Sequence, residues 1–365
     1  MQTNILIDRL NKIFRSTDLD AILLFNLNSP FIDSNFYYLT DFNSGVFEKS
    51  FAIAFKDHVV VGTSDLEYEN ALLESNDHIN VYRINTKDDI EEFLSRNLTD
   101  LKVGYNENFL PYIYYQKFKR YAKFNKLFNA SKCLYEARNI KDKYELEKIK
   151  KAVEITKKSL DEVQYYFKRG ITEKELAAQF NYLQLKNGAD KNSFGTIVAF
   201  DKNTALPHHS PDNTILKENA VVLLDVGAKW KNYCSDLTRT FFFEPHKRSL
   251  KYKKLQDMYD TVEKAELLGL SLIKDGADGK QIFEEVSKFI NTANGGIYKD
   301  KFIHSLGHMI GIDVHDAGAA ALSYKSIKLQ NGMVMSDEPG IYLYGFGGVR
   351  IEDDILIENG RGIFL

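Results

Sequence analysis

Two aspartates lie in apolar, strand-like sequence, where an unpaired carboxylate is unfavourable. Asp225 and Asp236 flank the polar turn 229–232. A two- or four-residue loop at this turn predicts a β-hairpin in which Ala228 pairs with Tyr233. The two aspartates would then lie directly opposite each other, with Cβ atoms about 4.5–5.5 Å apart. Because buried like charges destabilise a sheet unless a cation neutralises them, the hairpin is a candidate site for a hard divalent metal ion.

A second pair of acids repeats this arrangement near the C-terminus. A three-residue loop around Gly345 predicts a hairpin that pairs Leu343 with Gly347. In this register Glu338 lies opposite Glu352, again among apolar residues. Acidic residues are mostly found on protein surfaces, so either pair alone is compatible with two exposed strand edges. Two hairpins with the same feature favour one common site.

Three of the eight histidines, His304, His308 and His315, lie within twelve residues between the two hairpins. Histidine is the commonest metal-ligating side chain, and a cluster beside four acids indicates at least one ligand. His208 follows a proline in a loop, and the residues alone leave open whether it is an exposed turn residue. Arg350 shares the strand face of the last glutamate and is a candidate donor that orients a ligand carboxylate.

Four carboxylates and at least one imidazole, without thiolates, are typical of a pair of Mn²⁺, Co²⁺ or Zn²⁺ ions. Such ions, roughly 3.5–4 Å apart, share a bridging water and lower its pKa toward neutrality. The reaction indicated is hydrolysis of a polarised carbonyl, in which a carboxylate carries the proton to the leaving group. Histidines that are not ligands would hydrogen-bond the oxyanion and the leaving nitrogen.

Composition excludes several other classes of function. The 365-residue chain has 44% hydrophobic and 27% charged residues and a net charge of −3, so nothing indicates binding to nucleic acid or to an acidic membrane. No run of 18 or more apolar residues occurs, which predicts no membrane span. Cys133 and Cys234 form no CxxC motif, and the first ten residues do not resemble a secretory signal. We therefore expect a cytoplasmic protein.

The length allows two domains. Residues 1–130 alternate strands and helices, which predicts an α/β domain with a mixed or parallel sheet covered by helices. Aromatic residues from Tyr112 to Phe128 recur with helical spacing, which favours core packing over base stacking. The segment 130–142 predicts a linker before a long helix from about residue 143 to 168. Thr172 and Glu175 then form a capping box for the next helix.

The order of the five candidate ligands resembles that of the pita-bread metallopeptidases, the family of methionine aminopeptidase, aminopeptidase P and prolidase. The stretches that carry this resemblance are 224–227, 233–240, 307–316, 338–342 and 348–353. The segment 35–40 is similar to the creatinase-like domain that precedes the catalytic half in the Xaa-Pro-cleaving branch. The resemblance therefore implies a creatinase-like α/β domain over residues 1–130 and a pita-bread catalytic domain over residues 131–365.

The same resemblance implies how the metal ions are bound. Asp225 would chelate one ion, while Asp236 and Glu352 bridge both. His308 and Glu338 would complete the coordination of the second ion. Mn²⁺ is the expected metal, with Co²⁺ or Zn²⁺ as alternatives, and relatives with two domains imply a homodimer.

The remaining residues acquire roles in the same way. Glu338 would be the general base or proton shuttle, His208 would meet the substrate near the reacting amide, and His315 would stabilise the oxyanion. His304 would line the pocket for the proline after the scissile bond. Arg350 would buttress the bridging carboxylates.

The chain also departs from the family pattern. Asp337 replaces an expected apolar residue, and no arginine lies between His308 and Glu338, where prolidases use one to hold the free carboxylate of a dipeptide. Lys325 or Lys328 could substitute, without the bidentate fork of arginine. The resemblance thus implies a peptidase that cleaves the Xaa-Pro bond at the N-terminus of peptides or in dipeptides.

Two alternatives remain open. One is a catalytically inactive pita-bread protein that serves as a binding module, although pseudoenzymes of this family lose metal ligands and all five are present here. The other is a metal-free amidinohydrolase on the same fold, which ranks lower because it should lack the ligand set.

Overall fold

The computed structural model describes residues 3–121, 127–318 and 320–365. Residues 1–2 and Phe124, which bear on the predictions for the N-terminus and the aromatic segment, lie outside this part. The chain divides into two compact units, Met1–Arg138 and Asn139–Leu365. None of the helices in the described ranges combines the length and apolarity needed to cross a membrane.

The N-terminal unit contains one six-stranded mixed sheet. Its strands are β1 (Ala21–Phe25), β2 (Phe51–Ala54), β3 (Val59–Thr63), β4 (Ile79–Arg83), β5 (Val103–Tyr105) and β6 (Phe128–Asn129). They lie in the order β4-β3-β2-β1-β5-β6. The β1–β2 and β2–β3 pairs are antiparallel, and the other three pairs are parallel. The strands β1, β2 and β3 are buried throughout, and apart from Thr63 at the end of β3 they contain no polar residue, which is typical of central strands covered on both faces.

The helices of this unit confirm one prediction and correct another. They are α1 (Thr3–Phe14), α2 (Ser34–Thr40), α3 (Asp65–Glu74), α4 (Lys87–Leu98), α5 (Tyr112–Tyr121) and α6 (Ser131–Asn139). In α5 the side chains of Phe118 and Tyr121 are buried, as predicted for core packing. The prediction of a linker over residues 130–142 was wrong. Cys133, Leu134 and Ala137 recur at helical spacing and form the buried stripe of α6.

The C-terminal unit holds a set of small sheets. Its strands are β7 (Lys191–Asn192), β8 (Ile197–Phe200), β9 (Ala220–Val226), β10 (Ala228–Trp230), β11 (Tyr233–Cys234), β12 (Leu237–Phe243), β13 (Gly307–His308), β14 (Ala320–Leu322), β15 (Val334–Asp337), β16 (Gly340–Leu343), β17 (Gly347–Arg350), β18 (Asp353–Glu358) and β19 (Arg361–Phe364). The three-stranded sheets have the orders β11-β10-β7, β12-β9-β8 and β15-β18-β19. The two-stranded sheets are β13-β14 and β16-β17.

Four longer helices lie in this unit among the described residues. They are α7 (Lys143–Val163), α8 (Glu173–Lys186), α9 (Leu250–Leu272) and α10 (Gly279–Thr292), with short 3₁₀ helices at Gln164–Tyr166, Asp201–Ala205 and Ala293–Gly296. The predicted capping box is confirmed, since the Thr172 hydroxyl accepts from the amide of Glu175 and the Glu175 carboxylate accepts from the amide of Thr172. The apolar faces of α9 and α10 pack in one core with strands of the second hairpin.

The first hairpin has a different register from the predicted one. Trp230, not Ala228, pairs with Tyr233, because the two turn residues are Lys231 and Asn232, both with positive φ (45° and 71°), so the turn is not centred where it was predicted. Such a turn is typical of two-residue hairpin loops. Asp225 consequently lies opposite Thr238 rather than opposite Asp236. Because the shift is two residues, both aspartates still share one face of the ribbon.

The second hairpin has the predicted register. Leu343 pairs with Gly347, and the ladder pairs Asp337–Asp353 and Gly340–Arg350 enclose the position where Glu338 lies opposite Glu352. A β-bridge between Thr238 and Glu352 joins this ribbon to the first hairpin. The two pairs of acids therefore come from ribbons that lie side by side.

Candidate metal centre

One cavity of about 690 Å³ in the C-terminal unit is lined by the five candidate metal ligands, by the three other candidate histidines and by Arg350. They are His208, Asp225, Asp236, His304, His308, His315, Glu338, Arg350 and Glu352. The acids lie at or just beyond strand ends, where the two ribbons meet. Residues separated by more than a hundred positions are thus brought to one site.

Asp236, His308 and Glu352 form a compact group of possible metal ligands. One ligand atom from each lies within 4.8 Å of the other two, and all three side chains are buried. Glu338 extends the group, because its Oε1 lies 3.5 Å from His308 Nε2. Asp236 Oδ2 lies at the same distance, 3.5 Å, from that nitrogen. Asp225 lines the same cavity but is not part of the group of Asp236, His308 and Glu352.

The orientation of His308 indicates a cation. Its Nδ1 lies 3.3 Å from the carbonyl oxygen of Met309, which can only accept, so Nδ1 carries the proton. Burial, reinforced by the neighbouring His315, lowers the pKa of His308 to about 3, and the ring is neutral at pH 7. Nε2 therefore directs a lone pair toward the carboxylates of Asp236 and Glu338. A lone pair facing acceptors is unfavourable unless a positive ion lies between them.

The carboxylates carry more negative charge than the protein neutralises. Burial raises the pKa of Asp236 and Glu352 well above the usual range, and repulsion from neighbouring acids adds to it. Burial likewise raises the pKa of Glu338 to about 8, although Arg350 opposes the shift. The Oδ1 atoms of Asp225 and Asp236 are buried without a hydrogen-bond partner in the described structure. Unpartnered carboxylate oxygens beside a neutral imidazole are the donor set that divalent cations require, so these residues fit such ions.

Arg350 orients one of these carboxylates directly. Its Nη2 donates to Asp225 Oδ2 at 2.5 Å, its Nη1 to the Tyr342 hydroxyl at 2.8 Å and its Nε to Thr238 Oγ1 at 3.0 Å. Thr238 in turn donates to Glu352 Oε2 at 2.6 Å. Arg350 thus reaches Glu352 only through a hydroxyl, whereas Asp225 is its direct partner. These donors fix the rotamers of two acids that line the cavity.

Three further histidines surround the acids. His304 is half-buried and hydrogen-bonds Tyr342 through Nε2 at 2.8 Å, while its Nδ1 lies 2.8 Å from the carbonyl oxygen of Ser305. Burial, with Arg350 adding to it, lowers the pKa of His304 to about 4. The ring of His315 lies 4.0 Å from that of His308, and both His315 and His208 are exposed at the cavity.

Sequence reasoning missed the neutral residues of this network. Thr238, Ser336 and Tyr342 contribute hydroxyls, and Ser336 Oγ accepts from the amide of His308 and donates to Glu338 Oε1. A signal was present, because Thr238 and Ser336 each lie two residues from a predicted ligand, on the same strand face. Tyr342 likewise lies four residues after Glu338.

Buried acids also lie behind the candidate ligands. Asp337, the residue that departs from the family pattern, is fully buried, and its carboxylate packs against Gly269, where a Cβ would lie 2.3 Å from Asp337 Oδ2. Arg239 binds both oxygens of Asp353 at 2.9 Å. Burial, followed by the nearby Asp353, raises the pKa of Glu266 to about 8. Burial beside Asp353 lowers the stability of the folded protein at neutral pH, because it disfavours the ionised form of Glu266 that the unfolded chain adopts.

We expect Glu266→Gln to stabilise the protein at pH 8 by about 1–3 kcal/mol. The pKa of Glu266 is about 8 in the folded protein and 4.5 without its environment. Between these values the folded state holds a proton that the unfolded state has lost, so this residue makes the free energy of unfolding fall as pH rises. Glutamine does not ionise, so it removes the contribution of this residue to the pH dependence of the unfolding free energy. Urea unfolding between pH 6.5 and 8 measures this dependence, with the exposed Glu263→Gln as control. If the free energy of unfolding of wild type and of Glu266→Gln changed equally with pH, the raised pKa of Glu266 would be wrong.

The chain matches two protein families over most of its length. Residues 147–359 match metallopeptidase family M24, and residues 7–140 match the Creatinase/Prolidase N-terminal domain. The first match covers more than half of the chain, and the chain belongs to metallopeptidase family M24. The expected fold class, a creatinase-like α/β domain followed by a pita-bread domain, is confirmed.

Particular relatives match the whole chain. The Xaa-Pro dipeptidase of Pyrococcus furiosus is 32% identical over 355 residues, which cover 97% of this chain and 96% of that protein. The structure of the Xaa-Pro dipeptidase from Bacillus anthracis has a TM-score of 0.86 at 28% identity and covers 100% of this chain and 97% of its own. The X-Pro aminopeptidase structure from Thermotoga maritima has the same TM-score and identity, 0.86 and 28%, and covers 97% of both chains. Two other curated relatives match over stretches that span only 63% and 62% of their own length.

Proposed function

We propose that the protein is a dinuclear-metal peptidase that hydrolyses the Xaa-Pro bond at the N-terminus of peptides or in dipeptides. The observation that carries this proposal is the position of His308 Nε2, which lies 3.5 Å from one carboxylate oxygen of Asp236 and from one of Glu338 in a cavity lined by four acids. Relatives named Xaa-Pro dipeptidase and X-Pro aminopeptidase support the substrate class.

The residues that would hold the two ions are Asp225, Asp236, His308, Glu338 and Glu352. Mn²⁺ is the metal we propose first, with Co²⁺ or Zn²⁺ as alternatives, because oxygen ligands dominate and thiolates are absent. When bound, the ions polarise the scissile carbonyl and supply an activated water at neutral pH. Retention of all five side chains argues against an inactive binding module.

The protein's own residues then position the substrate and move protons. Glu338 takes a proton from the attacking water and delivers it to the proline nitrogen as the C–N bond breaks. His315 donates to the oxyanion, and His208 holds the reacting amide. His304, fixed by its hydrogen bond to Tyr342, borders the proline. Arg350 keeps Asp225 in place through the 2.5 Å bond between its Nη2 and Asp225 Oδ2.

Hydrolysis that depends on the metal tests this proposal. Protein reconstituted with Mn²⁺, Co²⁺ or Zn²⁺ should cleave an Xaa-Pro dipeptide, an Xaa-Pro-Yaa tripeptide or both. A chelator should abolish cleavage, and added metal should restore it. If metal-loaded protein left both peptides intact, the proposed function would be wrong.

Lys325 is the residue we propose for binding the carboxylate of a dipeptide. It lines the cavity, whereas Lys328 lines a separate surface groove with Asp275 and Asn331. Lys325→Ala should raise KM for the dipeptide about tenfold, the effect of one charge-assisted hydrogen bond, and should change KM for the tripeptide less. Lys328→Ala is the matched control. An unchanged dipeptide KM in the Lys325 variant would exclude this role.

Several properties of the whole protein belong to the same proposal. We propose a cytoplasmic location and a homodimer. A net charge of −3 supports a peptide as the substrate rather than nucleic acid.

A further inference from the structure

A fully buried glutamate lies next to the candidate site but is not one of its ligands. Glu173, the first residue of α8, is 0% exposed. Its Oε1 accepts hydrogen bonds from the amide of Phe200 at 2.7 Å and from Asn203 Nδ2 at 2.9 Å. Its Oε2 accepts from His209 Nε2 at 2.7 Å and from the amide of Asp212 at 3.0 Å. Four donors thus use the two lone pairs of each carboxylate oxygen.

The four donors belong to one short segment, residues 200–212, which we call the His208 loop. The loop carries His208 into the cavity, and the donors lie on both sides of that histidine. On its other face the carbonyl of Pro207 accepts from Arg350 Nη2 at 3.5 Å, and Thr204 Oγ1 accepts from the amide of Gly348 at 2.6 Å. The loop is therefore held between α8 and the strand that carries Arg350.

Glu173 also lies within ligand distance of His209 and Asp212. A metal ion there is not needed, because both oxygens of Glu173 already accept two hydrogen bonds. The carboxylate of Asp212 is exposed to solvent. Glu173 therefore accepts hydrogen bonds from two backbone amides and two side chains, and we do not interpret this arrangement as a second metal site.

We propose that Glu173, acting through His209 and the His208 loop, is a positioning residue that sets the location of His208 against the substrate. Four hydrogen bonds offset the cost of burying this carboxylate, and all four go to the segment that carries His208. The inference rests on the proposed function, since His208 acts on a peptide amide.

A double-mutant cycle between Glu173 and His208 tests this inference. Glu173→Gln keeps the shape of the side chain but replaces one carboxylate oxygen by an NH₂ group. That group would face two N–H donors of the loop instead of accepting from them. The substitution should lower kcat for the Xaa-Pro substrate about 10–100-fold with a smaller change in KM. In the His208→Ala background the same substitution should change kcat less than about twofold, because the residue it positions is gone. Multiplicative effects in the two backgrounds would overturn the proposal.

Two further variants separate positioning from loss of folding. His209→Ala should reproduce the loss in kcat, and His209→Gln, whose amide places a donor near the position of Nε2, should restore most of it. Glu175→Gln removes a capping carboxylate from the same helix without touching the loop, and its kcat should remain that of the wild type. Failure of His209→Gln to rescue His209→Ala would contradict the role of this hydrogen bond.

Amide hydrogen exchange tests the same contacts without any enzymatic activity. Glu173→Gln should speed exchange in residues 200–212, and Glu175→Gln should not. Unchanged exchange in the loop would overturn the proposal even in an active enzyme. If the wild type cleaved no Xaa-Pro peptide while the loop still depended on Glu173, the proposed function alone would have failed.

Discussion

Replacing Glu338 by glutamine is expected to lower kcat for an Xaa-Pro peptide by about 10³-fold. Glutamine keeps the size and an oxygen ligand of the side chain but cannot take a proton from water. The carboxylate of Glu338 lines the cavity with Oε1 3.5 Å from His308 Nε2, so it lies where it can accept a proton from water and return it to the leaving group. Steady-state kinetics of the metal-loaded variant measure the effect.

The control for this variant is Glu358→Gln, an exposed glutamate at the end of β18. It should retain wild-type kinetics. Metal content should be measured for both variants, so that loss of chemistry is separated from loss of the ion. A Glu338→Gln variant that binds metal and keeps kcat within tenfold of the wild type would remove Glu338 from the proposed proton path.

Asp236→Asn should have opposite effects on the metal-free and the metal-loaded protein. The aspartate is buried, its pKa is raised by burial and by Glu352, and its Oδ1 has no partner in the described structure. Asparagine removes the charge and offers an N–H to His308 Nε2, which Oδ2 of the aspartate faces at 3.5 Å. The metal-free variant should therefore be more stable by about 1–3 kcal/mol.

With metal bound, the wild type should be more stable than Asp236→Asn. At a concentration of 100 Kd a ligand stabilises the folded state by about 2.7 kcal/mol, and the wild type should gain at least this much from Mn²⁺. The variant lacks a proposed bridging carboxylate, so it should gain far less and lose more than about 10²-fold in kcat. Thermal unfolding with and without Mn²⁺, with the exposed Asp161→Asn as control, measures both halves. An equal metal-induced shift in Asp236→Asn and wild type would exclude Asp236 as a ligand.

The second hairpin was predictable because its turn contains glycine. Gly345 has a φ of 76°, which glycine adopts without strain, so the loop length and the pairing of Glu338 with Glu352 follow from local sequence. The first hairpin was misread because Lys231 and Asn232 adopt positive φ without a glycine to mark the turn. A register error of two residues leaves each side chain on the same face of the strand. Asp225 and Asp236 therefore line one cavity despite the error.

Contacts between residues that are far apart in the chain could not be predicted from local sequence patterns. Glu173 has the local sequence of an ordinary first-turn glutamate, and its partners lie 27 to 39 residues further along the chain. The helix α6 was missed because the segment 130–142 is short and mixed in polarity, although Cys133, Leu134 and Ala137 have helical spacing. Conversely, the four acids that line the cavity were predictable, because acids in apolar strands are unfavourable unless a cation neutralises them.

Diffraction from crystals loaded with Mn²⁺ tests the central claim most directly, through anomalous scattering at the manganese edge. We predict two peaks per chain, roughly 3.5–4 Å apart, inside the cavity lined by Asp225, Asp236, His308, Glu338 and Glu352. Each peak should lie about 2.0–2.3 Å from oxygens of these acids, and one of them at that distance from His308 Nε2. A single peak, or none near these five residues at saturating Mn²⁺, would contradict the proposed dinuclear centre.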